Sequence, residues 1–179
     1  MVDGFDVSDP DAWAGVEAAE LACLNAGVTS VDDSVADYRR VVGVNVDGVV
    51  FGVRHLAEVM EPGSAIVATA SLAGLAPWPG DPVYTLTKHA VLGFVRAASP
   101  GLAGRGVRLN AVCPGFVDTP MVRPHEEELR GAGFELMSPT QVAEAVLVAA
   151  RSGETGQAWV VQPGREPMQF RFPNVPGPR

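Results

Sequence analysis

Basic residues are scarce in this 179-residue chain: 13 Lys and Arg stand against 21 Asp and Glu, a formal net charge of −8. Together with a pI near 4.8, that balance argues against a polyanion partner such as nucleic acid. No apolar run approaches the roughly 18 residues of a membrane span, so no membrane partner is expected. The acidic start M-V-D-G-F-D lacks the basic-then-apolar pattern of a secretion signal, and a cytoplasmic location is the expectation. Cysteine is equally sparse. Cys23 and Cys113 each sit in an apolar, strand-like run and read as buried free thiols. Neither has metal-ligand spacing with the scattered His55, His89 and His125, so no metal site is expected.

Apolar residues, by contrast, make up 47% of the chain and charged ones 19%, enough for one domain with a real core. Helical and extended segments alternate. A possible strand ends at Val7, and Asp9-Pro10 opens a helical stretch through Glu20. L-A-C-L then reads as a buried strand, Leu21 to Leu24, with a turn at Gly27. A long amphipathic helix runs from about Ser34 to Met60, stopped by Pro62-Gly63, and a strand follows from Ala65 to Ala70. Another helix extends to about Ala103, with a kink expected at Pro100-Gly101. A strand from Val107 ends at Pro114-Gly115, and residues 116–137 look loop-like or weakly helical. Ser138-Pro139-Thr140-Gln141 is a capping box leading a helix to about Arg151, and A-W-V-V is the last strand. The Pro- and Gly-rich tail, 162–179, is expected to lie extended over the surface. Such alternation implies an α/β fold, a parallel sheet covered on both faces with ligands beyond the strands' carboxyl ends. Asn25, Ser71 and Pro114 each follow a predicted strand and should line one crevice.

The most informative local pattern is Tyr84-Thr-Leu-Thr-Lys88, thirteen residues after Ser71. Asp81 is a helix N-cap and Pro82 the first helical residue, so Tyr84 falls in the first turn with Lys88 one turn on, on the same face. A cation about 4–5 Å from the phenol, at an effective dielectric of about 20, is worth about 3–4 kcal/mol. That would lower a tyrosine pKa of about 10 by two to three units, and the helix N-terminus adds up to about 1 kcal/mol. The pattern therefore predicts a phenol fit for general acid–base work.

Asn25-Ala26-Gly27, Asn45 within V-N-V, Ser71, Tyr84-x-x-x-Lys88 and Pro114-Gly115 together resemble the short-chain dehydrogenase/reductase family, in order and spacing, from about Asp6 to Val161. The resemblance implies a Rossmann-like, doubly wound parallel sheet and an oxidoreductase that interconverts an alcohol and a carbonyl with NAD or NADP. It implies that Tyr84 is the general acid–base, that Lys88 lowers its pKa and holds the nicotinamide ribose, and that Ser71 binds the substrate oxygen. Asn45 would interrupt its helix and hold a water linking Lys88 to solvent; Gly43 and Gly48 beside it weaken the helix interior. Asn25, Ala26 and Gly27 belong to the cofactor set. Pro114 and Gly115 would approach the nicotinamide, Val117 and Thr119 its carboxamide, and Asp6 and Val7 the adenine. Residues 121–137 correspond to the substrate lid, whose Met121, Leu129, Phe134 and Met137 lean toward an apolar alcohol or ketone. Glu126 to Glu128 read as a solvated helix face. The family dimerises through helices matching 34–60 and 82–103, so a homo-oligomer is expected, with Val49, Phe51, Val91 and Phe94 as candidate contacts.

No glycine-rich strand–turn–helix precedes Asp6. Gly101-Leu-Ala-Gly104-Arg-Gly106 closes a helix and precedes a strand, the reverse of the context a phosphate-binding turn needs. One incomplete domain over 1–179 is thus expected, lacking the family's first two strands and their helices, with Leu21–Leu24 as an edge strand and weakened cofactor binding. The alternative expectation is a catalytically silent binding, regulatory or oligomerisation remnant of the same fold.

Overall fold

The computed structural model describes residues 5–173. Met1–Gly4 and the last six residues of the Pro/Gly-rich tail lie outside them. Four parallel strands, β1 (Leu21–Leu24), β2 (Ala65–Thr69), β3 (Arg108–Pro114) and β4 (Ala158–Val161), pair in chain order, and a short β5 (Met168–Gln169) adds antiparallel to β4. Parallel neighbours require crossovers, and helices supply them. A continuous helical rod crosses from β1 to β2: α1 (Val35–Val42), a π-helical segment (Gly43–Asp47) and α2 (Gly48–Val59). From β2 to β3 the crossover is α3 (Pro82–Ala103), and from β3 to β4 it is the short α4 (Glu126–Gly131) followed by α5 (Pro139–Arg151).

Caps set the helix starts as the sequence predicts. Ser34, Asp81 and Ser138 each accept from the amide three residues on, at Asp37, Tyr84 and Gln141. Pro82 and Pro139 occupy first helical positions, where no amide is lost. α3 runs through Pro100 to Ala103.

Strand alternation divides the core in two. Leu24, Ile66, Ala68, Leu109 and Ala111 pack under α2 and α3, whereas Ala65, Val67, Val112 and Val161 pack under α5. β3 is buried along six of its seven residues. β1 is not a buried strand: of its four residues only Leu24 is buried, and Cys23 is exposed. Edge position is the reason: among the described residues β1 pairs with β2 alone, and α5 packs chiefly on β3, β2 and β4. One face of the sheet is roofed and the other only partly so. Cys113, within β3, is buried as expected.

The segment before β1 departs from the sequence reading. Residues 5–9 form no strand; Asp6 closes a turn by accepting from the Ser8 amide and hydroxyl at 2.9 and 2.7 Å. The helical stretch is a short 3-10 helix, Pro10–Gly15; Val16 after it is extended, and residues 16–19 carry no regular secondary structure. This segment is held to the helical rod by missing side chains. A Cβ on Gly48 would stand 2.7 Å from Val7 Cγ2, and one on Gly52 would stand 2.6 Å from Trp13 Cη2. Gly48 therefore does more than weaken a helix; it admits the N-terminal segment. β5 also escapes sequence reading, because two residues carry no periodicity and their pairing is supported by Phe170, whose amide donates to Ala158 O.

Candidate active site

β2 and β3 deliver the loops that carry Ser71 and Pro114, while α3 lies along them with Tyr84 and Lys88 on one face. Lys88 is 3% exposed, and its Nζ donates to the Thr69 carbonyl at the end of β2, 2.8 Å away. The same Nζ stands 5.3 Å from the centre of the Tyr84 ring. The Ser71 side chain lies near enough to the Tyr84 phenol to lower its pKa, and its Oγ reaches toward the Pro114 carbonyl at 3.5 Å. Ser71, Tyr84 and Lys88 are thus brought together beyond the carboxyl ends of β2 and β3.

The electrostatics run opposite to the sequence expectation. Burial is the largest influence on Tyr84 and pushes its pKa up from 10.0; the neighbouring Ser71 hydroxyl opposes this, and the Asp81 carboxylate adds to the rise. Lys88 is not among the groups that lower the Tyr84 pKa. Its ammonium points at Thr69, and burial lowers its own pKa from 10.5 to about 8. The helix N-terminus favours phenolate, but its cap is itself an anion. Desolvation penalises every charged form in this pocket, and no partner inside the chain outweighs it.

Asn45 is fully buried in the π-helical segment, where the Gly48 amide bonds to Gly43 O, so the helix is indeed interrupted there. Its side chain does not reach for Lys88. Oδ1 accepts from Val28 N at 2.8 Å, and Nδ2 donates to Val28 O at 2.9 Å and Thr87 Oγ1 at 3.0 Å. Asn45 grips the loop that follows β1. Within that loop Asn25 Oδ1 accepts from Thr69 Oγ1 at 2.9 Å. A Cβ on Gly27 would lie 3.5 Å from Lys88 Nζ and 3.6 Å from Asn45 Oδ1, so its absence leaves room in front of the ammonium. Ala26 is exposed at the mouth of the same loop.

Gly115 bonds to Val161 O and faces Leu72, and a Cβ there would lie 3.3 Å from Leu72 Cδ1. Val117 pairs with Met137 in a parallel bridge, and its carbonyl accepts from Thr119 Oγ1 at 3.3 Å. Asp6 and Val7 do not join the strand-end set; Val7 packs on Gly48 and its carbonyl accepts from Trp13 Nε1. In the lid, Leu129 and Met137 are buried packing, while Met121 and Phe134 stay exposed. Glu127 and Glu128 face solvent, and Glu126 pairs with Arg130 one turn on. Three groups went unread in the sequence. Thr69 holds both Lys88 and Asn25, Thr87 bridges Asn45 to α3, and Trp78 meets Phe116 and Phe134 edge to face at 5.2 and 6.4 Å. Thr87 had a local signal, lying beside Lys88; the others depend on loop paths.

The sequence model of the enoyl-(acyl carrier protein) reductase family matches residues 16–164. Among similar proteins is 2-(R)-hydroxypropyl-CoM dehydrogenase of Xanthobacter autotrophicus, 34% identical over 155 residues, covering 77% of this chain and 62% of that protein. Cyclohexanol dehydrogenase of an Acinetobacter strain is 36% identical, with 80% of this chain and 62% of that protein covered. The crystal structure of 3-oxoacyl-[acyl-carrier protein] reductase from Brucella melitensis superposes with a TM-score of 0.75 at 29% identity, over 87% of this chain and 68% of that one. This chain belongs to the short-chain dehydrogenase/reductase family, whose members are oxidoreductases. It spans 62% of the length of the first two of these relatives.

Proposed function

We propose that this chain carries the proton-handling and nicotinamide-facing part of an NAD- or NADP-dependent oxidoreductase that interconverts a secondary alcohol and a ketone. The observation that carries this reading is the convergence of Ser71, Tyr84 and Lys88 at the carboxyl ends of β2 and β3, in a family of dehydrogenases and reductases. The residues present fit the nicotinamide end of a dinucleotide. Gly27 leaves space before Lys88, whose ammonium has spent one of three donors on Thr69. Bound there, the cofactor supplies a hydride acceptor or donor and, when oxidised, a positive charge close to the phenol.

In the oxidising direction Tyr84 takes the proton from the substrate hydroxyl, and in the reducing direction it returns one to the carbonyl oxygen. Ser71 donates to that same oxygen as charge develops on it. Lys88 would hold ribose hydroxyls with its remaining donors. Asn45 orients the loop Asn25–Gly27, while Pro114, Gly115, Val117 and Thr119 border the nicotinamide side. A buried phenol with a raised pKa stays protonated and suits proton delivery in the reducing direction as it stands, whereas proton removal in the oxidising direction would need a nearby positive charge to lower it. The lid's Met121 and Phe134, with Trp78 and Phe116, favour an apolar substrate. Names among the relatives, cyclohexanol dehydrogenase for one, point the same way.

The 179 residues include no glycine-rich strand-to-helix turn, so their own dinucleotide affinity is weak. A homo-oligomer through α2 and α3 remains part of the proposal, with Phe51 and Phe94 as half-buried candidates; Val49 and Val91 face the core and are withdrawn from that set. Among the described residues no helix is long and apolar enough to cross a membrane.

The test is turnover of cyclohexanol at saturating NAD⁺ or NADP⁺, followed by the absorbance of reduced nicotinamide. Tyr84→Phe is expected to lower kcat by about 10²–10⁴-fold. Undiminished turnover in Tyr84→Phe overturns the assignment.

A further inference from the structure

Tyr84 is bracketed along its own backbone. Its amide donates to Asp81 Oδ1 at 2.8 Å, and its carbonyl accepts from Thr87 Oγ1 at 2.8 Å. Asp81 has its other partner in the loop that follows β1, and Thr87 reaches that loop through Asn45 of the π-helical segment. Asp81 Oδ1 accepts from Ser30 Oγ and Oδ2 from Ser30 N, both at 2.8 Å. Thr87 Oγ1 accepts from Asn45 Nδ2, and Asn45 clamps both backbone groups of Val28. Two separate paths therefore tie the phenol-bearing turn to one loop, across sequence separations of 51 and 42 residues.

The loop has no regular secondary structure, yet four consecutive residues are anchored. Val28 is held by Asn45, Ser30 by Asp81, Thr29 O by Arg40, and Val31 N by Asp37. Asp37 and Arg40 belong to α1 and pair with each other, so that side of the loop is fixed to the helical rod. Asp81 and Thr87 fix the other side to α3.

We propose that Asp81 and Thr87 are positioning residues that lock the loop Asn25–Val31 to α3, so that the cofactor-side loop and Tyr84 move as one body. The proposal deepens the function argued above and rests on Tyr84 being its reacting group. Neither residue touches substrate in this account; each acts through Tyr84. A ligand that orders the loop thereby orders the phenol, and a loose loop leaves the phenol misaimed. The carboxylate has a second consequence, because its charge opposes phenolate formation. The other titratable group facing Tyr84 is Lys88 from α3, its Nζ 5.3 Å from the ring centre, with the Ser71 hydroxyl after β2; Cys113 from β3 faces Lys88.

The test uses amide hydrogen exchange on the free 179-residue chain, and phenolate absorbance in a Tyr38→Phe background, where Tyr84 is the single phenol. Asp81→Asn keeps an acceptor for the Tyr84 amide, since Asn caps as well as Asp, but surrenders one bond to Ser30. It is expected to speed exchange at least tenfold at Val28 and Val31 as well as Ser30, and to lower the pH at which Tyr84 titrates, since the Asp81 charge holds it up. Thr87→Val, which removes both hydroxyl bonds, is expected to speed exchange at Val28 and Ser30 alike, and Thr87→Ser to restore protection. Should Asp81→Asn fail to fold, Ser30→Ala removes the hydroxyl bond to Asp81 Oδ1, leaves the backbone bond and the α3 cap intact, and is expected to speed exchange at Val28 and Val31 more weakly. Faster exchange confined to Ser30 and the first turn of α3, with Val28 unmoved in every variant, overturns the coupling. Because the readouts need neither cofactor nor turnover, an active Tyr84→Phe enzyme would overturn the proposed function while leaving the coupling to stand or fall separately.

Discussion

β3 and β1 are both short parallel strands whose carboxyl ends feed the candidate site, yet they are built differently. β3 is paired on both sides, roofed on both faces and almost wholly buried; β1 is paired with β2 alone and half open to solvent. The loops they deliver are nonetheless equally committed. Gly115 after β3 is set by a sheet bond to Val161, whereas Val28 to Val31 after β1 are set by side chains of the helices. A weak edge strand can thus present a well-anchored loop, because the anchors belong to elements that are themselves part of the core.

Truncating the core measures the difference most directly. Leu109 is fully buried in β3, and Leu109→Ala is expected to cost about 2–5 kcal/mol in urea unfolding. Leu21→Ala, on half-buried β1, should cost less than half as much; equal losses would mean that β1 is as enclosed as β3. Next come the two glycines that approach Lys88. A Cβ on Gly74 would stand 2.6 Å from the Lys88 carbonyl, a backbone atom that cannot step aside, so Gly74→Ala should destabilise by about 1–3 kcal/mol. Gly27→Ala meets only ordinary contacts, at 3.5 Å from Lys88 Nζ. Its stability should hardly change, while calorimetric binding of NADH weakens.

Titration separates the dry centre from the wet edge. Lys88, lowered from 10.5 to about 8, is deprotonated in the folded chain while still protonated in the unfolded one between those values. The unfolded state then holds more protons, and stability rises with pH by up to about 1.4 kcal/mol per unit. Cys113, raised from 9.0 to about 12, acts oppositely from pH 9 upward, and Tyr84 joins it above 10. The expected profile climbs from about pH 8 to 9, flattens, then falls above about 10. Lys88→Met should remove the climb and Cys113→Ala should extend it; a profile flat from pH 8 to 11 in the wild-type chain would contradict a dry site. The smallest effect is chemical. An aromatic disulfide reagent should label Cys23 in the native chain and Cys113 only after unfolding, one thiol before and two after. Two native thiols would show that β3 opens as readily as the edge.

Much of this was legible locally. The caps at Ser34, Asp81 and Ser138, the order of β1 to β4, and the Tyr84–Lys88 spacing all depend on residues within about a turn of one another, where propensity and periodicity act. The failures cluster where a residue's neighbours lie far along the chain. Val7 reads in the sequence as the end of a possible strand, but Gly48 offers it a helix surface instead of a sheet. Cys23 was read as buried because its apolar run is real; only the absence of a helix over that side exposes it. Asn45 was placed correctly at an interruption of its helix, whereas its partners, Val28 and Thr87, came from two other elements.

Sequence alone therefore determined the alternation of elements, the helix starts and the presence of a serine, a tyrosine and a lysine in family order. Only the tertiary structure decided the sign of the Tyr84 shift, the exposure of β1 and the double tie between Tyr84 and the loop after β1. The reason is physical: hydrogen-bonded caps and periodic faces are short-range properties of a chain, whereas desolvation is set by whatever the rest of the molecule packs around a group.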